Sequence, residues 1–67
     1  MTKNQFRWTL EKLELSQSEA ARLFGLDART IRRYVLGTTH VPVGVALLMR
    51  LLQQKRVTVE DIEAVQQ

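Results

Sequence analysis

Between Gln17 and Gly37 two short runs of helical periodicity are separated by one glycine, and this pattern restricts the fold more than any other feature of the chain. The first run carries Ala20, Ala21, Leu23 and Phe24 toward a core and stops at Gly25. The second extends from Ala28 to about Leu36, sets Ile31, Tyr34 and Val35 on one stripe, and ends at Gly37. Gly25 stands where the chain must reverse within about three or four residues, often at a positive φ that a Cβ tolerates poorly. Ala21 is small where the two helices come closest, and Leu26 and Ile31 are placed to fix the angle between them. Ser16 and Glu19 have the spacing of a capping box, and Asp27 can cap the second helix of the pair.

The flanking segments are also helical in period. A first helix is expected from about Lys3 to Leu13, with Phe6, Leu10 and Leu13 on its inner stripe. Trp8 points away from that stripe, which leaves it either beneath the C-terminal helix or on a partner surface. Thr38 to Val41 read as a loop, and Pro42 suits the first turn of a fourth helix running to about Gln54. That helix is apolar through Val45, Ala46, Leu47, Leu48, Met49, Leu51 and Leu52, so it is expected to lie centrally and touch several others. Thr58 and Asp61 open a short last helix through Val59, Ile62 and Val65. No segment sustains strand alternation. The expectation is one all-α domain over residues 1–67, a compact five-helix unit with residues 17–37 at its centre.

Composition removes several function classes. With no cysteine and one histidine, thiolate metal sites, disulfides and most nucleophilic or acid–base constellations are not expected, so no catalytic residues, metal site or cofactor are assigned and an enzyme is not expected. His40 reads as a loop residue, and Glu60, Asp61 and Glu63 suit the first turns of their helix. The most apolar stretch, Val41 to Met49, is interrupted by Pro42 and Gly44 and is too short to span a bilayer, so a cytoplasmic location without membrane partners is expected. The net charge of +3 is unevenly spread: residues 1–37 hold seven Lys and Arg against four acids, and the remainder holds three of each. A basic half suggests a polyanionic partner.

At about 100° per residue, Ile31, Tyr34 and Val35 cluster on one side of the third helix. Arg29 and Arg33 lie opposite them, Arg32 flanks the pair, and Ala28 sits at the open N-terminal end. Guanidinium groups on such a face can donate two parallel hydrogen bonds to guanine or pair with phosphate. Gln17 and Ser18 begin the preceding helix, where free amides and the helix dipole favour a phosphate.

The run from Ser16 to Tyr34 resembles the lambda-repressor/Cro (XRE-like) family of helix-turn-helix proteins, with Gln17, Ala21, Gly25, Leu26 and Ile31 matching its pattern position for position. The likeness continues, less specifically, through Gly37, Pro42 and the segment Leu47 to Leu52. It implies a lambda-repressor-like fold and a sequence-specific regulator of transcription on double-stranded DNA, nucleoid-associated, with its third helix in the major groove. Base contacts then fall to Ala28, Arg29 and Arg33, and phosphate contacts to Gln17, Arg32, Thr38 and Thr39, beside Ser18. Leu10 and Val35 stand where some members carry an Arg–Glu pair, so an apolar contact is expected there. Ala28 lacks the polar side chain frequent at its position but can touch a thymine methyl. Homodimers, common in such families, would read palindromes with recognition helices roughly 34 Å apart. Trp8 and the Val59–Val65 surface are candidate interfaces. The alternative is an antitoxin-type interaction module that neutralises a toxin and binds its own promoter, or a module that binds a co-regulator.

Overall fold

The computed structural model describes residues 1–66. They form α1 (Lys3–Lys12), α2 (Gln17–Phe24), α3 (Ala28–Leu36), α4 (Val43–Gln53) and α5 (Val59–Val65), with no strand among them, in a body of 30 × 23 × 21 Å. Local chemistry sets most of these boundaries. Ser16 with Glu19 and Thr58 with Asp61 form the expected reciprocal caps. A third box, Thr2 with Gln5, opens α1 and was not anticipated. Asp27 caps α3 by accepting from the Arg29 amide at 2.8 Å.

The helix ends share one device. After α2 the Leu26 amide reaches back to the Ala21 carbonyl, and after α3 the Thr38 amide reaches the Arg33 carbonyl. Gly25 (φ +68°) and Gly37 (φ +78°) make both closures in the left-handed region. The same closure follows α1 and α4, where Leu15 bonds back to Leu10 and Arg56 to Leu51. There the left-handed residues are Glu14 and Lys55, which pay a steric cost that glycine avoids.

The core gathers Phe6 and Leu10 of α1, Ala20 and Ala21 of α2, Ile31 and Tyr34 of α3, and Met49 of α4. Phe6 and Tyr34 meet edge to face with ring centres 5.6 Å apart. Each large side chain in this set contributes about 1.5–3 kcal/mol by leaving water. Thr9 is buried as well, and its hydroxyl donates to the Gln5 carbonyl at 2.8 Å.

The fourth helix departs from expectation. It packs chiefly on α1, while α3 takes the middle position against α1 and α2. Only Ala46, Met49 and Leu52 of α4 are buried, whereas Val43 and Leu47 are exposed. Leucine runs specify a helix but cannot say how many neighbours will cover it. Trp8 is half exposed, with the Lys12 ammonium 5.5 Å from its ring centre. It shares a cleft with Arg50 and Gln53 of α4 and is not covered by α5. The expected apolar contact joins α1 to α3, with Leu10 buried and Val35 packed on the core beside it. No described helix is long and apolar enough to cross a membrane.

Candidate nucleic-acid interface

Helix α3 is anchored by one face. Ile31 is wholly buried and Tyr34 nearly so, which turns the opposite face of the nine-residue helix outward. Ala28, Arg29, Arg32 and Arg33 are all exposed on it. Among the described residues, neither Arg32 nor Arg33 makes an ion pair. Two guanidinium groups on successive positions thus lack a direct ion pair among the described residues, although Arg33 is near enough to Asp27 to help lower its carboxyl's affinity for a proton.

Arg29 differs. Its guanidinium lies 3.4 Å from the Asp27 carboxylate, with the two side chains 83% and 55% exposed. Arg29 is thus exposed, as its place on the helix implies, but is tied to its own N-cap residue. Asp27 accepts from the α3 amide end and from the Arg29 side chain at once. Those bonds, led by the one from the Arg29 amide, hold its carboxyl below the usual range. At such exposure water screens the pair, which yields readily to a stronger anion.

The other candidate residues separate in the same way. Gln17 and Ser18 are exposed on the first turn of α2, and their amides have no acceptor within the protein among the described residues. Glu19 closes that turn. The Ser16 amide bonding to it lowers its carboxyl's affinity for a proton. Thr39 is exposed, with no hydrogen bond from its side chain among the described residues. Thr38 is committed locally: its hydroxyl donates at 3.4 Å to the Arg33 carbonyl, reinforcing the end of α3. This long bond has to break before Thr38 can serve a phosphate.

Two basic residues that pattern reading passed over also border α3. Arg7 shares a cleft with Ser16, Gln17 and Val35, on one side of the helix. Lys3 shares another with Tyr34, Gly37 and Thr39, on the other. Both are exposed residues of α1, so their position depends on how α1 crosses α3. The only hint in the sequence was the concentration of positive charge in residues 1–37. No cluster of side chains suited to a metal ion occurs among the described residues.

Comparisons with protein-family profiles, with curated proteins and with solved structures find no match to this chain.

Proposed function

We propose that this chain is a sequence-specific regulator that binds double-stranded DNA in the manner of lambda repressor and Cro, laying α3 in the major groove. The observation that carries the reading is the division of α3. Ile31 and Tyr34 are locked inward, while Arg32 and Arg33 project outward without intramolecular ion partners among the described residues. An α-helix fits the major groove of B-DNA, and arginine supplies the paired donors that distinguish guanine. On this reading Ala28, Arg29 and Arg33 face base edges. Gln17, Ser18, Arg32 and Thr39 meet the flanking phosphates, and Thr38 joins them only by giving up its bond to Arg33.

Selection from random duplex DNA tests the proposal directly. It should return a short motif containing guanine. Arg33→Ala is expected to lose about 1–3 kcal/mol of binding at that motif and to relax base preference. Arg29→Ala is expected to lose less, because the wild-type arginine must first leave Asp27. A selection that returns no motif, or an Arg33→Ala protein of unchanged selectivity, removes the proposal.

A second reading, that of a protein-interaction module of the antitoxin type, draws on one observation. Val43 and Leu47 are exposed on α4, and Leu23, Phe24, Leu48, Val57, Ile62 and Val65 border an open apolar cleft between α2, α4 and α5. An open apolar cleft beside exposed apolar side chains suits contact with another protein. The two readings respond oppositely to substitution. Leu47→Glu should spare DNA binding and abolish association with a protein partner, and Arg33→Ala should weaken DNA binding and leave that association intact.

A further inference from the structure

The cleft between the start of α1 and the loop after α3 has features that the core does not explain. It measures about 390 Å³, and Lys3, Tyr34, Gly37, Thr39 and His40 are among its lining residues, with no carboxylate. Tyr34 is only 4% exposed, yet its hydroxyl makes no hydrogen bond to another described residue. No buried side-chain polar atom is left sealed without a partner, so that hydroxyl keeps an opening to the outside. A tyrosine held this deeply ordinarily has a partner for its O–H. Lys3 is positioned as well. Its stem lies across Gly37 so closely that a Cβ there would sit 2.7 Å from the lysine Cδ. A glycine at this point therefore admits the lysine to the wall of the cleft.

We propose that this cleft is a phosphate-binding site, in which the Tyr34 hydroxyl and the Lys3 ammonium both donate to one phosphate group and the Thr39 hydroxyl closes over it. An O–H donor, an ammonium and a second hydroxyl without a carboxylate among them match a phosphate, and the Lys3 ammonium offsets the partial negative charge at the C-terminal end of α3. The phosphate comes either from the backbone of a bound duplex or from a free phosphate compound. The first source rests on the major-groove reading of α3, which ends beside the cleft at Gly37; the second does not. If Lys3 instead serves only the negative end of α3, its removal lowers stability and leaves binding untouched.

Two variants and two probes decide the matter. Tyr34→Phe keeps the ring against Phe6 and deletes only the donor, and Lys3→Ala alters an exposed residue that does not endanger folding. Each should weaken binding of a random-sequence duplex and of the selected motif by the same factor, about three- to tenfold. Lys3→Ala should also reduce the slope of log affinity against log salt by about 0.9. Inorganic phosphate titrated into the wild-type protein should shift the amide resonances of Lys3, Thr39 and His40, and these shifts should be lost in Tyr34→Phe. If both variants bind duplex like wild type and phosphate shifts none of these resonances, the cleft assignment is overturned, while the α3 reading survives provided Arg33→Ala still weakens binding. If the wild-type protein binds no duplex, the α3 reading falls. The cleft then stands on phosphate shifts that Tyr34→Phe abolishes and falls without them.

Discussion

Gly25 and Gly37 occupy the same left-handed region, yet replacing each with alanine should have different consequences. At Gly25 (φ +68°) an added Cβ meets nothing within 4 Å, so backbone strain is the whole folded-state effect. That strain is about 1–2 kcal/mol, and the reduced freedom of the unfolded chain offsets about 0.4–1 kcal/mol of it. The net loss of about 1 kcal/mol lowers the midpoint of thermal unfolding by roughly 4–8 °C in a domain of this size. A chain of 67 residues has roughly 3–10 kcal/mol of stability, so Gly25→Ala remains folded. At Gly37 (φ +78°) the strain is similar, but the new Cβ also meets Lys3 Cδ at 2.7 Å. The exposed lysine stem must swing aside, a small added cost because it is a flexible side chain and not backbone. Gly37→Ala should therefore unfold at a lower temperature than Gly25→Ala, and the excess should disappear when Lys3→Ala is combined with it. Thermal and urea unfolding of wild type, the three single variants and the double variant supply the cycle. A Gly25→Ala protein as stable as wild type would refute the left-handed turn. Equal losses at the two glycines, unaffected by Lys3→Ala, would refute the close approach of α1 to the end of α3.

Other consequences are open to simple measurement. Asp27→Asn keeps an oxygen to cap α3 but removes the charge that holds Arg29, so duplex affinity should rise; an unchanged or weaker affinity would mean that Arg29 does not reach DNA. Lys55→Gly relieves a left-handed residue bearing a Cβ and should raise stability by about 0.5–1 kcal/mol, read as a higher melting temperature. Acid should weaken the fold through Glu19 and Asp27, whose carboxyls are both held below their ordinary values. A depressed folded value means the stabilisation is complete above the unfolded values, about 4.3 for Glu and about 3.9 for Asp, and is lost as pH falls through the lower folded values. Unfolding free energy should thus fall with pH below about 4, and Glu19→Gln, which preserves the cap but does not titrate, should flatten that dependence.

The sequence by itself determined the helices and their limits, because these rest on neighbours in the chain. Ser16 with Glu19, Asp27 with the Arg29 amide, and Gly25 and Gly37 after their helices act within a few residues of one another. The inward placement of Ile31 and Tyr34 and the outward placement of Arg32 and Arg33 follow from helical period for the same reason. The tertiary structure alone decided what depends on distant segments. Met49 reaches the core while Leu47, two residues earlier on the same apolar helix, stays in water, because α1 covers one side of α4 only. Lys3 meets Gly37, and Arg7 borders one cleft with Gln17, through the way α1 packs on the rest of the domain, a relation that no local pattern encodes. Arg29 lies between these cases: its outward direction was legible from the helix, but its bond to Asp27 depends on a rotamer choice that periodicity does not specify.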